Sequence, residues 1–261
     1  MRHVLLPTDF GDTSYKAALF ALQVYGTHDV QYTLLNTYLK PAYRHALVAL
    51  DADPELDSIT GLRRIEQRMR RQAGRIQVAV RNSNEPLVQA IADLHRAKAV
   101  DVVVMGTQGE GRYGPVGRNT AAVVTGVHLP VIAVPGQWEA APIKDIVLAD
   151  DGQPVDPRAL QPLLEIAARC GAHVHVVHVG GEDHPGHVAK ALLAGLPHSM
   201  ATVSGEDVGA ALDAYAADHA AQLVAVVHRQ RSFLQRIFQG STSKRMAVHT
   251  TVPMLVLHQE A

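Results

Sequence analysis

The chain has one cysteine, one tryptophan and almost no net charge. The lone cysteine, Cys170, excludes an intrachain disulfide and fits a reducing cytoplasm. The formal charge is −1 and the pI is near 7.0. No field of one sign therefore draws the chain to nucleic acid or to an anionic membrane, and neither is expected as a partner. No apolar run approaches the ~18 residues that a membrane-spanning helix needs. The apolar start is cut short by Pro7, Thr8 and Asp9, so no signal peptide is expected there. Also missing are an H-E-x-x-H metal motif, paired carboxylates at catalytic spacing and a Ser-His-Asp order. Histidine, by contrast, is abundant, with 15 residues.

With 261 residues, 47% of them apolar, the chain is long for one domain and comfortable for two. It duplicates itself. "HVLLPTDFGD" (3–12) is echoed by "DIVLADDGQP" (145–154), which sets Asp9 against Asp151. Helically spaced apolar residues follow in 14–26 and 156–171, with Gly26 and Gly171 where a helix C-cap wants positive φ. Strand-like runs come next at 30–38 and 172–180, and later at 100–106 and 223–228. "LPVIAVP" (129–135) matches "VPMLVLH" (252–258). Strands alternating with helices, several strands continuously apolar, predict parallel sheets covered on both faces. The expected fold is α/β, two tandem doubly wound domains over 1–138 and 142–261, joined near "PGQWEAAPI". Trp138 falls in that joint and is expected to anchor it. The basic run "GLRRIEQRMRRQAG" (61–74) reads as a solvated amphipathic helix with Leu62, Ile65 and Met69 facing the core.

The segment "MGTQGEGRYGPVGRNTAAVV" (105–124) holds the most chemistry. Residues 109–114 satisfy G-x-G-x-x-G, but no helix opens at once and no acidic residue ends the next strand, as a dinucleotide fingerprint requires. Gly106 and Gly111 have the P-loop spacing, yet Arg112-Tyr113 stands where Lys-Ser/Thr must. A third reading places Gly106 and Gly109 in the turn after a strand and Gly117 at the start of a helix capped by Asn119 or Thr120. Its first amides and dipole then face an anion at the carboxyl end of the sheet. Asp9 ends another strand of that sheet. Its carboxylate suits a ribose hydroxyl or an adenine amino group, or it simply caps the helix after it.

These segments, "VLLPTDF", "VDVVVMGTQG", "GRNTAAVV" and "LPVIAVP", resemble the universal stress protein family in its tandem two-domain form, over nearly the whole chain. That resemblance implies an adenine nucleotide alpha hydrolase-like fold and an ATP site of pattern G-x2-G-x9-G-(S/T), with Mg²⁺ a possible companion. It places Pro7, Thr8 and Asp9 along adenosine and Thr37 at the adenine edge. Met105, Gly106, Gln108 and Gly109 become the first phosphate turn, and Gly117, Arg118, Asn119 and Thr120 the second. The chain departs in two ways: seven residues separate Gly109 from Gly117 where the pattern has nine, and Arg118 stands in place of Ser or Thr. The Arg118 amide survives, and its guanidinium can add a charge-assisted bond to phosphate. In the second half His228 and Arg231 replace the two glycines, which implies a degenerate site, although Gly240-Ser241 and Asp151 remain. His228, Arg229, Arg231 and Arg236 form a basic cluster there, either an anion patch or a solvated loop.

The resemblance implies a cytoplasmic, nucleotide-responsive stress regulator whose two domains pair through 129–135 and 252–258, with a homodimer left open. The alternatives are a nucleotide-free interaction module and a slow ATPase, for which no dedicated catalytic residue stands out. "HVHVVHV" (173–179) sets His173 and His175 on one strand face and His178 on the other. No carboxylate or thiol completes a metal set at convincing spacing, so hydrogen-bonded structural histidines are expected. Cys170 has no partner base and reads as a packed side chain.

Overall fold

The computed structural model describes residues 1–39, 53–107, 117–180, 193–205, 207–229 and 252–259. The chain divides into two compact units, Met1–Val127 and His128–Ala261. No helix among the described residues is long and apolar enough to cross a membrane.

The first unit alternates strands β1 (Arg2–Pro7), β2 (Val30–Thr37), β3 (Gln77–Ser83) and β4 (Val102–Gly106) with helices α1 (Asp12–Tyr25), α2 (Pro54–Ala73), α3 (Leu87–Arg96) and α4 (Arg118–Gly126). The strands pair in parallel in the order β3-β2-β1-β4. Helix α1 packs with α2, and α3 with α4. Strands covered on both faces must be apolar throughout. Val4–Leu6 of β1, Leu34 and Leu35 of β2 and Val102–Met105 of β4 are accordingly buried. Small residues on α1, namely Ala17, Ala18 and Ala21, let that helix lie close to the sheet. Helix α2 starts at Pro54, seven residues before the basic run that marks it in sequence. Asp53 caps it, accepting from the Glu55 and Leu56 amides, with proline at the first position, where its missing N–H is no loss. Leu62, Ile65 and Met69 form its buried stripe, as the spacing predicts.

The second unit contains β5 (Val131–Val134), β6 (Asp145–Asp150), α5 (Pro157–Cys170), β7 (His173–Val179), β8 (His198–Val203), α6 (Val208–Asp218), β9 (Leu223–His228) and β10 (Met254–His258). Its strand order is β5-β10-β9-β6-β7-β8. All pairs are parallel except β5 with β10, where Leu255 faces Ile132. Trp138 is buried beyond β5, its amide on the Pro135 carbonyl. Gly26 and Gly171 end α1 and α5 at φ 70° and 62°, as expected of C-caps.

The strand order has a functional consequence. From β1 the chain runs outward to β2 and β3, then returns to place β4 on the other side. Connections leave β1 and β4 in opposite directions, so a crevice opens beyond their carboxyl ends. The second unit repeats this reversal between β6 and β9.

Candidate functional site

A cavity of about 410 Å³ lies at the first unit's reversal point. Pro7, Thr8 and Asp9 line it from the end of β1, Leu35 to Thr37 from β2, and Met105 and Gly106 from β4. Leu87 adds an apolar wall, and Gly117 to Thr120 close it with the start of α4. Ten of the twelve residues singled out in the sequence thus surround one space. The other two, Gln108 and Gly109, lie outside the described residues.

A buried polar network fixes the floor. Asn36 donates to the Thr8 carbonyl (2.7 Å) and accepts from the Ser58 hydroxyl (2.8 Å). The Thr8 and Ser14 hydroxyls meet at 2.9 Å, and Thr8 also accepts the Phe10 amide. Phe10 sits at φ 69°, unusual for a bulky residue. Its ring lies where a Cβ on Gly61 of α2 would strike it at 2.6 Å, so a tight helix approach holds the turn. Asp9, next to it, is exposed at the mouth and accepts the Gly11 amide at 3.1 Å. Asn36, Ser14, Ser58 and Leu87 escaped sequence reasoning. An asparagine inside the apolar run "YTLLNT" is the signal that could have found the first of them.

At the opposite wall, α4 begins at Arg118, with Gly117 as N-cap and no side-chain cap. Asn119 and Thr120 are therefore inside the first turn, and the expected capping role falls to neither. Thr120 instead donates to the Gly106 carbonyl at 2.8 Å. The first intrahelical bond is Ala121 N–H to the Gly117 carbonyl. The amides of residues 118–120 precede it, carry the positive end of the helix dipole and suit an anion, with the exposed Arg118 beside them. Gly106 has a further reason to be glycine. A Cβ there would meet the Thr13 methyl at 2.7 Å and its carbonyl carbon at 3.0 Å, so the position serves the packing of α1 on β4.

Comparison with known proteins agrees with this fold. The model of the universal stress protein family matches residues 1–135 and 181–258. The chain belongs to the universal stress protein family. A universal stress protein from Archaeoglobus fulgidus DSM 4304 shares the fold at TM-score 0.69, with 19% identity over 98% of each chain. A protein of unknown function from Pseudomonas aeruginosa PAO1 aligns at TM-score 0.62, with 15% identity over 99% of this chain and 92% of its own. No curated protein matches the chain in sequence.

The second unit of this universal stress protein differs at the matching place. Its cavity is about 110 Å³. Arg229, just after β9, sends its guanidinium to Asp151, the counterpart of Asp9, at 3.3 Å, and to the Gln153 carbonyl at 2.8 Å. The register of β9 on β6 puts Val227 at the place of Gly106, one residue before the His228 that the sequence pattern sets there. Arg231, Arg236, Gly240 and Ser241 lie outside the described residues. The strand histidines are hydrogen-bonded: His175 to Asp145 (3.0 Å), His173 to Ser199 (3.0 Å) and His178 to the Asp150 carbonyl (3.0 Å). Burial, with His175 beside it, pushes the His173 pKa down. Burial pushes the Cys170 thiol up despite neighbouring Arg169, the opposite of what a nucleophile needs. Among the described residues no three carboxylate, imidazole or thiolate groups converge to hold a metal ion.

Proposed function

We propose that the first unit binds ATP, with Mg²⁺ as its companion, and that the protein is a cytoplasmic regulator of the stress response that responds to nucleotide. The observation that carries this reading is the crevice at the reversal point, with a carboxylate at one end and unpaired helix amides with an arginine at the other. Its volume of about 410 Å³ lies within the ~300–1,000 Å³ usual for small-molecule sites. Asp9, with Pro7 and Thr8, would hold the adenosine and Thr37 the adenine edge. Met105 and Gly106 would flank the phosphates on one side, with Gln108 and Gly109 continuing that turn. The amides of Gly117 to Thr120 and the Arg118 guanidinium would flank them on the other. The phosphates would supply the negative charge that these amides and Arg118 attract. We favour binding over turnover because Asp9, the single carboxylate among the described lining residues, would hold the adenosine and leave no carboxylate beside the phosphates.

Thermal unfolding with ATP, ATP-Mg²⁺ and AMP tests this. A ligand at ~100 times its Kd stabilises the native state by about 2.7 kcal/mol. Millimolar ATP should therefore raise the melting temperature, and Asp9→Ala and Arg118→Glu should each suppress the shift. No shift for the native chain, or one unchanged in both variants, overturns the reading.

A further inference from the structure

The second unit's cavity has no part in nucleotide binding as proposed, yet it has a construction of its own. It lies beyond the carboxyl ends of β6 and β7, under Val208 and Leu212 of α6, with Asp150, Asp151 and His178 as its polar lining. We propose that this cavity binds a small organic monocation bearing N–H donors, a primary ammonium or a guanidinium.

Asp150 carries the inference. It is only 5% exposed, and its Oδ1 accepts the Gly152 amide at 2.9 Å. Its Oδ2 is buried and has no hydrogen-bond partner. A buried carboxylate oxygen without a donor is costly, and native structures hold few. The fold does not require it. In the first unit the corresponding residue is Thr8, whose hydroxyl closes the same kind of turn on the Phe10 amide and meets Ser14. In the second unit the helix position of Ser14 is taken by the buried Ala159, which offers no hydroxyl, and Asp156, the N-cap of α5, turns its carboxylate to its own helix and accepts the Arg158 amide. A hydroxyl would close the turn at Gly152 equally well. The carboxylate adds a second oxygen and a charge that the turn does not use.

The surroundings select the ligand. Arg229 compensates Asp151, which shows the kind of group this end of the sheet receives and leaves the Asp150 charge unmatched. Among the described residues, two carboxylates stand here against the one guanidinium of Arg229, which disfavours an anion. The described groups do not converge to hold a metal, so hydrogen-bond donors on a compact organic cation fit best. One water occupies ~30 Å³ of liquid, so about 110 Å³ admits a head group of a few heavy atoms and excludes a nucleoside.

The test is titration of the isotope-labelled full chain with guanidinium chloride and with methylammonium chloride, each to about 50 mM, followed by amide NMR. Saturable shifts are expected at Gly152, Val177 and Val179, with Gly106 and Thr107 unmoved. Tetramethylammonium, equally charged but without N–H, should leave these amides unshifted. Asp150→Asn keeps the acceptor for Gly152 and should weaken binding by at least about tenfold, the loss of a charge-assisted bond. Asp150→Thr, which installs the first unit's residue, should do the same, and Trp138 fluorescence checks that both variants fold. Binding of N-acetylarginine amide would mark a protein side chain as the source of the cation, and binding of the free ions alone a small metabolite. Absence of saturable shifts, equal response to tetramethylammonium, or undiminished affinity in folded Asp150 variants overturns the proposal. None of these outcomes bears on ATP in the first unit.

Discussion

Acid should unfold the second unit through His258. This residue ends β10 and pairs in register with His228 at the end of β9. Their rings stack at 5.1 Å, His128 meets His258 edge-on at 6.3 Å, and the Nε2 atoms of both His228 and His258 are buried without a partner. Burial, then the neighbouring imidazoles, pushes the His258 pKa from 6.5 to about 4. The folded state therefore holds this proton less tightly than the unfolded chain. The contribution to stability is complete above pH 6.5 and is lost as pH falls toward 4. At ~1.4 kcal/mol per pKa unit it amounts to about 3 kcal/mol, of which about 2 has gone by pH 5. Urea unfolding at pH 7 and pH 5, followed by Trp138 fluorescence, reads the second unit alone, because Trp138 is the chain's one tryptophan. His258→Phe keeps a ring against His228, loses no hydrogen bond and removes the proton acceptor. The variant should lose about 2 kcal/mol less than the native chain between the two pH values. Parallel losses in the two proteins would refute the burial of an uncharged imidazole.

Asn36→Ala removes two buried hydrogen bonds and orphans the Thr8 carbonyl and the Ser58 hydroxyl, so chemical denaturation should show a loss of about 2–3 kcal/mol. Gly106→Val should lower the melting temperature of nucleotide-free protein, because its side chain drives into Thr13; an unchanged melting temperature would contradict the close approach of α1. Gly61→Ala should likewise destabilise by about 1–3 kcal/mol, through overpacking against the Phe10 ring, and far-UV circular dichroism melts would measure it. Arg229→Met leaves the partly buried Asp151 unpaired and should cost about 1–3 kcal/mol, read again from Trp138.

Local pattern was enough for the alternation of strands and helices, for Asp9 at a strand end and for the apolar stripe of α2. Apolar runs and glycines announce these without knowledge of distant neighbours. What escaped depends on long-range placement. Asn36 matters because β2 lies beside β1, which brings its amide to the Thr8 carbonyl 28 positions away. Thr120 reads as a cap until the helix is seen to begin at Arg118, which frees its hydroxyl to reach Gly106. Gly106 reads as room for a ligand, and only the packing of α1 reveals a second demand on it. The Arg229 contact with Asp151 joins residues far apart in sequence, and no spacing rule forecasts it. Pro54 sits ahead of a basic run whose charges draw the eye to the helix's second half.

The two bonds at the mouth of the crevice, Thr120 to the Gly106 carbonyl and Gly117 N–H to the Thr107 carbonyl, act as a drawstring. They tie the end of β4 to the start of α4 whatever chain runs between them. Length in 108–116 is thereby decoupled from the position of the helix amides, and the two residues missing relative to the family pattern need not displace them. The segment can be treated as a replaceable cassette: grafts of other lengths should alter what the crevice accepts while leaving the sheet and α4 in place.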